Sequence, residues 1–135
     1  MEKVENKVIV WSIDDFNTLG LMRELGNAEL DMLFLIKGNA GIAASSKYCK
    51  KYIETASIDE GYNYLLENYK DQAFKPIIIL AGDDIATYVD QHREKLEDYF
   101  ILPLTTQKGY MEKYIDKNTM TALADEIGIL CPKSV

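Results

Sequence analysis

An acidic turn near the N-terminus holds side chains that could bind a polar ligand. It spans residues 12–18, follows a short apolar run, and contains Asp14, Asp15 and Asn17. Such side chains often cap the next helix by accepting hydrogen bonds from its free backbone N–H groups. Alternatively, one of them faces a ligand. Two aspartates would oppose a bare phosphate at a helix N-terminus, so a ligand amine or hydroxyl fits better.

A second acidic turn, Gly82-Asp83-Asp84, follows another apolar run and repeats this design. The glycine permits a positive φ or the close approach of a ligand. Either aspartate can cap the following helix or face a ligand. Two acidic turns of this kind favour a polar-ligand site to which at least one of them contributes.

Two further segments carry groups suited to anions. Ser45, Ser46 and Lys47 lie in a predicted loop, where hydroxyls and an ammonium suit a carboxylate or phosphate, although a solvated polar loop is the alternative. Lys117 follows Asp116 at the start of the last predicted helix. Its ammonium can swing toward a phosphate, and its alternative is an ordinary surface lysine.

Several familiar site patterns are absent from the sequence. His92 lies on the apolar stripe of a predicted helix and is interpreted as a packing residue. Neither the G-x-G-x-x-G dinucleotide turn nor the P-loop pattern occurs, and the two cysteines, Cys49 and Cys131, form no metal or disulfide pattern. We therefore expect no catalytic residue, no metal site and reduced thiols, as in a cytoplasmic protein.

The elements that position these residues alternate along the chain. Apolar runs predict five strands, and apolar stripes at helical spacing predict the helices between them. The strands are expected at residues 8–11, 32–36, 51–56, 76–81 and 99–104, and the helices around residues 17–25, 58–69, 85–96 and 117–127. This order predicts an α/β fold in three layers, with a mostly parallel sheet of about five strands between helices.

Ligands of parallel sheets bind beyond the carboxyl ends of the strands. The loops expected there are residues 12–17, 37–47, 82–84 and 105–109. The 135 residues and net charge of −7 indicate one acidic domain that does not favour nucleic acid. No apolar run is long enough for a membrane span.

The ordered motifs resemble the N-terminal, Rossmann-like domain that precedes the nucleotide-binding core of ATP-grasp ligases. They are in particular similar to carboxylate–amine ligases of the D-aspartate ligase type and to related polysaccharide-biosynthesis proteins. The resemblance covers nearly the whole chain and depends on four stretches, at residues 14–23, 45–48, 82–103 and 116–134.

This resemblance implies a division into a pre-ATP-grasp domain at residues 1–112 and the start of a connection at residues 113–135. It implies that Lys117 contacts a nucleotide. It also implies a substrate-binding role, on the carboxylate or amine side, for residues of the acidic turns and the loop: Asp14, Asp15, Asn17, Ser45, Ser46, Lys47, Asp83 and Asp84. The family's glycines after the first strand are replaced here by Ser12 and Ile13, a departure that affects the ligand contacts of that turn.

The resemblance further implies that ATP and Mg²⁺ bind in parts of the enzyme that this sequence does not contain. The chain is accordingly expected to be a fragment or one half of a split enzyme, inactive alone, whose partner is an ATP-grasp domain in cis or as a separate subunit. Apolar surface left exposed where the missing domain would dock can also favour self-association into a homodimer.

Two alternatives remain from the sequence. A stand-alone module for a small polar metabolite or a sugar nucleotide would use the same loops. A phosphoacceptor receiver domain would use the paired acids Asp14 and Asp15. It would also need an aspartate ending the third strand and a lysine–proline pair after the fifth, but Asp59 lies past its strand and Lys108 precedes Gly109.

Overall fold

The computed structural model describes residues 4–105 and 107–132. Residue 106 of one predicted loop and residues 133 and 134, which end the stretch 116–134, lie outside this part. Four parallel strands form one sheet in the order β3-β2-β1-β4. They are β1 (Val8–Ser12), β2 (Met32–Lys37), β3 (Tyr52–Thr55) and β4 (Ile77–Ala81).

Six helices accompany the sheet in the described part of the chain. They are α1 (Phe16–Asn27), α2 (Ile58–Tyr69), α3 (Asp83–Gln91), α4 (Arg93–Glu97), α5 (Tyr110–Ile115) and α6 (Lys117–Glu126). The central strands β1 and β2 are buried along almost their whole length. Strands covered on both faces read as continuous apolar runs, which is why the sequence predicted them well.

The two faces of the sheet carry separate hydrophobic cores. Alternate residues of β1, here Val8 and Val10, pack with Met22 of α1 on one face. The other alternate residues, Ile9 and Trp11, pack with α2, α3 and α4 on the opposite face. This arrangement confirms the predicted three-layer α/β fold.

The predicted fifth strand at residues 99–104 does not form. Only one isolated parallel bridge joins Ile101 to Ile77 at the outer edge of β4. Pro103 has no N–H to continue the ladder, and Leu104 is 99% exposed. The sheet of the described residues therefore has four strands rather than five.

The C-terminal third also differs from the sequence prediction. The helix expected over residues 85–96 is split at His92 into α3 and α4, and α5 was not predicted. The boundary expected between residues 112 and 113 falls inside α5. The backbone N–H of Met111 bonds Asp90, near the end of α3 that is far from the acidic turn. α5 is thus anchored at the end of α3 opposite the acidic turn, whereas the loop before it, over residues 105–109, was expected at the carboxyl edge.

The strand order places the change of direction beside β1. The chain moves outward from β1 to β2 and β3, and then crosses to β4 on the other side of β1. This is the start of the 3-2-1-4 Rossmann order, whereas receiver domains follow the 2-1-3-4-5 order. The topology therefore argues against the receiver alternative, and ligand sites of such sheets lie at this switch point.

No helix in the described ranges has the length and apolar character that crossing a membrane requires.

Candidate functional site

The carboxyl edge of the sheet is tied together by the end of β1. The buried Ser12 hydroxyl donates to the carbonyl of Ala81 at the end of β4, with Oγ 2.5 Å from the carbonyl oxygen. The same hydroxyl lies 2.8 Å from that of Thr18 in the first turn of α1. These bonds join β1, β4 and α1, so the two acidic turns of the sequence meet at one edge.

Asp14 holds the loop after β2 rather than facing open solvent with free oxygens. Its carboxylate accepts backbone N–H bonds from Gly41 at 2.7 Å, Ala43 at 2.7 Å and Ala44 at 2.9 Å. A carboxylate with three such donors anchors a backbone turn strongly, because hydrogen bonds to a charged acceptor are stronger than those between neutral groups. The structure thus assigns Asp14 a contact that connects two loops of the edge.

Asp15 and Asn17 occupy the first turn of α1. Asp15 is the N-cap, and its Oδ1 accepts from the backbone N–H of Thr18 at 2.9 Å and from its hydroxyl at 3.0 Å. This is the capping alternative that the sequence allowed. Asn17 is exposed at the same edge.

The loop that Asp14 holds carries the predicted Ser45, Ser46 and Lys47. Ser45 donates to the carbonyl of Gly41 at 2.7 Å, and Ser46 accepts from the N–H of Tyr48 at 3.4 Å. The ammonium of Lys47 lies 4.9 Å from the centre of the Tyr48 ring. The serine hydroxyls therefore support local turns, and the structure does not bring these residues together as one anion cradle.

A groove of about 520 Å³ opens along this loop, between the loop and the exposed edge of the sheet. Its walls include Ile42, Ser45 and Tyr52. The serine is the one residue of the predicted set that lines it. A second groove, of about 490 Å³, lies between β3 and α2 and is acidic, with Glu54, Asp59 and Glu60 among its lining residues.

The second acidic turn starts α3 differently from the prediction. The N-cap is Gly82, at a φ of 129° that favours glycine, and it has no side chain to cap the helix. The first-turn N–H of Ile85 donates instead to Oδ1 of Asp84 at 2.8 Å. Asp83 and Asp84 instead stand in the first turn, where negative charge is favourable against the helix dipole. The expected aspartate cap is therefore corrected to a glycine cap with two exposed carboxylates behind it.

Asp84 forms an ion pair with Lys37, the last residue of β2. The hydrogen bond from the Lys37 ammonium is the main reason why the pKa of Asp84 lies below its usual range. Lys37 was not among the residues that the sequence pattern indicated. Its position in the sequence could have indicated it, because a lysine that ends a fully buried strand must lie at the carboxyl edge of a parallel sheet.

An aromatic cluster lies behind this pair on the α2–α3 face. Tyr88 donates to Asp59 at 2.7 Å, and burial together with this bond raises the pKa of the Tyr88 hydroxyl well above its ordinary value. His92 stacks on Tyr88 with ring centres 4.1 Å apart. Its Nδ1 lies 2.8 Å from the Tyr88 carbonyl oxygen, which is the packing role that the sequence indicated.

Lys117 begins α6, whose N-cap is Asp116. Asp116 accepts from the N–H of Thr119 at 2.8 Å, and the hydrogen bonds from Thr119 lower the pKa of the Asp116 carboxyl. Lys117 is exposed, and no hydrogen bond or ion pair within residues 4–105 and 107–132 joins its ammonium to the carboxyl edge. Its nucleotide role thus stays a prediction.

The described residues do not fit a magnesium site. Within that part of the chain, no three carboxylate, histidine or cysteine side chains converge as ligands. The first turn also lacks the glycines that let a backbone wrap phosphates, and its two aspartates already hold N–H groups. Nothing in this edge supplies a cradle for nucleotide phosphates.

Comparisons with known proteins show what the whole chain is similar to. No protein-family model matches the chain. The sequence is 30% identical over 69 residues to D-aspartate ligase from Enterococcus faecium (strain Aus0004), across 51% of this chain and 16% of that protein. The fold matches the crystal structure of L-amino acid ligase from Bacillus licheniformis with a TM-score of 0.64 and 12% identity.

The fold match covers 96% of this chain and 32% of the L-amino acid ligase, so the chain spans about a third of that protein. At 12% identity this match concerns the fold alone. The sequence match is to one protein named a ligase, and the fold match is to the structure of another. Together they confirm that the chain resembles the N-terminal, Rossmann-like domain of ATP-grasp ligases.

Proposed function

We propose that this chain is the substrate-binding N-terminal domain of an ATP-dependent carboxylate–amine ligase. The proposed reaction joins a carboxylate and an amine through an acyl phosphate, giving an amide or peptide-like bond. The observation that carries it is the agreement between a 69-residue sequence match to D-aspartate ligase and a fold match over 96% of the chain to L-amino acid ligase.

The carboxyl edge supplies the proposed substrate-binding groups. Asp83, Asp84 and Asn17 are exposed there and offer polar groups to an amine or hydroxyl. Ser45 lines the groove beside β3. These four residues are proposed to touch the substrate.

The other predicted residues are proposed to act around that contact. Asp14 and Asp15 hold the loop and the helix that shape the edge, through the bonds described above. Ser46 and Lys47 lie on the loop that Asp14 holds, and they are proposed to border the substrate on its carboxylate side. A carboxylate suits them because hydroxyl and ammonium groups both donate hydrogen bonds to it.

ATP and Mg²⁺ are proposed to bind in an ATP-grasp core outside these residues, as the resemblance to ATP-grasp ligases implies. ATP supplies the phosphoryl group that activates the carboxylate. Lys117 is the one nucleotide contact proposed from this chain, as a flexible cation at the start of α6. The core is proposed to act in cis or as a separate subunit, in the cytoplasm, with no nucleic-acid partner.

Reconstitution tests the proposal. The chain is joined to an ATP-grasp core, or mixed with it, and amino acid-dependent formation of ADP and amide is measured. We expect turnover by the reconstituted enzyme and none by residues 1–135 alone. Lys117→Met should lower the rate by raising the KM for ATP, while Lys108→Met, at another exposed lysine, should not.

Two outcomes would overturn the proposal. Turnover by residues 1–135 alone would contradict the assignment of ATP chemistry to the core. A reconstituted enzyme that binds a small metabolite or sugar nucleotide but forms no amide would favour the stand-alone binding module.

A further inference from the structure

Strand β3 is an edge of the sheet, with β2 as its neighbour. The carbonyl of Lys51 accepts from the N–H of Phe34 in β2 at 3.0 Å, so the backbone of Lys51 faces β2. Backbone groups of successive residues point to opposite sides of a strand, and those of Tyr52 and Glu54 therefore point away from the sheet. This edge presents N–H and C=O groups with which a further strand can pair.

The side chains of this edge divide between the two faces of the sheet. Ile53 packs against the core on the α2–α3 face, so Lys51, two residues earlier, points to the same face. Lys50, Tyr52 and Glu54 point to the α1 face, where Tyr52 lines the groove of about 520 Å³. Tyr52 is 45% exposed, and the two lysines and Glu54 are exposed as well. The edge thus carries accessible charges of both signs.

The order of these charges fits the same edge of a second copy. An antiparallel two-fold pairing centred on Tyr52 places Lys50 of each copy directly opposite Glu54 of the other. Opposite charges that face each other across antiparallel strands are favourable, and the aromatic pair of Tyr52 with its counterpart adds to them. Glu54 has an oxygen for this contact, because its Oε1 accepts from the N–H of Ala40 and leaves Oε2 for a second donor.

The α2–α3 face supplies a second match in the same pairing. Lys51 of one copy lies opposite Ile53 of the other, beside the groove of about 490 Å³ between β3 and α2. Glu60 and Glu67 are among the residues that line this groove. Neither Lys50 nor Lys51 has an ion-pair partner within the described part of its own chain. The pairing therefore brings carboxylates to both lysines.

The charges also select this pairing against its neighbours. A shift by one step in one direction places Lys51 opposite its own counterpart, which is a like-charge contact. A shift in the other direction places Lys50 opposite Ala56 and leaves no ion pair across the strands. Lysines on an edge commonly prevent pairing altogether. Here they disfavour the wrong registers and favour one.

We propose that two copies of this chain form a dimer by antiparallel pairing of their β3 edges, centred on Tyr52. The pairing joins two four-stranded sheets into one continuous sheet. The dimer is weak, because β3 has only four residues and small interfaces belong to the transient class. This surface differs from the apolar junction at which the sequence suggested self-association.

Sedimentation equilibrium and NMR hydrogen exchange of residues 1–135 test the dimer. We expect a monomer–dimer equilibrium between about 10 µM and 1 mM, the range of a weak interface. The N–H groups of Tyr52 and Glu54 should gain protection from exchange as the dimer forms, because they point away from the sheet in the single copy. This measurement needs no variant.

Charge-reversed variants test the register. Lys50→Glu and Glu54→Lys each create two like-charge contacts across the axis, so each alone should dimerise roughly tenfold more weakly than the wild type, or less. An equimolar mixture of the two should recover dimerisation, because the mixed dimer has opposite charges in both contacts. The control Lys108→Glu makes the same charge change at another exposed lysine and should leave dimerisation unchanged.

Three results would overturn this dimer. They are a chain that stays monomeric at about 1 mM, protection at the exposed apolar residues of α6 instead of β3, and a mixture of the two folded variants that dimerises no better than each alone. A variant that fails to fold leaves the exchange measurement to decide. Loss of this dimer would leave the ligase proposal standing, because reconstitution measures amide formation and not association.

Discussion

Replacing Asp14 by alanine tests how the carboxyl edge is built. Its carboxylate accepts from three backbone N–H groups of the loop after β2, those of Gly41, Ala43 and Ala44, at distances of 2.7–2.9 Å. Ala43 is fully buried in the core on the α1 face. Alanine at position 14 therefore leaves one buried donor and two more accessible ones without a partner.

The expected loss of stability follows from where those donors lie. A buried N–H left unpaired costs about 1–3 kcal/mol, and each bond that water replaces costs about 0.5–1 kcal/mol. We expect Asp14→Ala to lower the free energy of unfolding by about 2–5 kcal/mol. The free energy of unfolding of Asp14→Asn should lie between those of the wild type and Asp14→Ala. The amide has a single carbonyl oxygen, which cannot accept from all three N–H groups.

Urea unfolding monitored by tryptophan fluorescence measures this loss. Trp11 is the single tryptophan of the chain and is fully buried in the core of the other face. The matched control is Asp15→Ala, which removes the cap of α1 and should cost about 0.5–2 kcal/mol. Hydrogen exchange of residues 41–46 should accelerate in the Asp14 variant and stay unchanged in the control.

A free energy of unfolding for Asp14→Ala within about 0.5 kcal/mol of the wild-type value, the range of ordinary surface substitutions, would refute the anchoring role of Asp14. Unchanged protection of residues 41–46 from exchange would refute it as well. Either result would mean that the loop holds its conformation without the carboxylate.

Three other predictions concern the sheet faces and the C-terminal helices. Gly61→Ala should destabilise the fold by about 1–3 kcal/mol and alter the fluorescence emission of Trp11, because the added Cβ would lie 2.9 Å from the Trp11 ring. A melting temperature equal to that of the wild type would contradict this prediction. Lys37→Met should raise the pKa of Asp84 toward its ordinary value of 3.8 in a carboxyl NMR titration. Because the folded pKa is depressed, the pair stabilises the protein above that ordinary value and its contribution is lost as the pH falls through the lower one; an unchanged titration would refute the pairing. Asp90→Ala should speed hydrogen exchange in α5 more than in β1, because the fully buried Asp90 carboxylate accepts from the N–H of Met111, in the first turn of α5, at 3.1 Å. Equal acceleration in α5 and β1 would show that Asp90 does not anchor α5.

Much of the layered fold could be predicted because its signals are local. Continuous apolar runs predicted β1 and β2, since strands buried on both faces need apolar side chains at every position. The apolar run of β4 was as clear, although that strand is only partly buried. The cap of α1 was also local, because Asp15 and the N–H that it accepts are three residues apart. The same holds for the last helix, where Asp116 caps α6.

The errors have a common cause in long-range pairing. Residues 99–104 have the composition of a strand, but a strand needs a ladder, and here only Ile101 pairs with β4. The predicted helix over residues 85–96 is divided at His92, where the backbone leaves the helical conformation and the ring stacks on Tyr88. These features do not alter the spacing of the apolar residues, which is why the sequence predicted one helix.

The candidate site could likewise be predicted from the sequence only in part. The residue types, the order of the motifs and the resemblance to ATP-grasp ligases were readable from the sequence alone. The tertiary structure decided which groups meet: Asp14 with a loop 27 residues further along the chain, and Lys37 with Asp84 across the end of β1. A local pattern limits what a side chain can bind, but its partner is set by which strands lie side by side, and that order is a property of the folded chain.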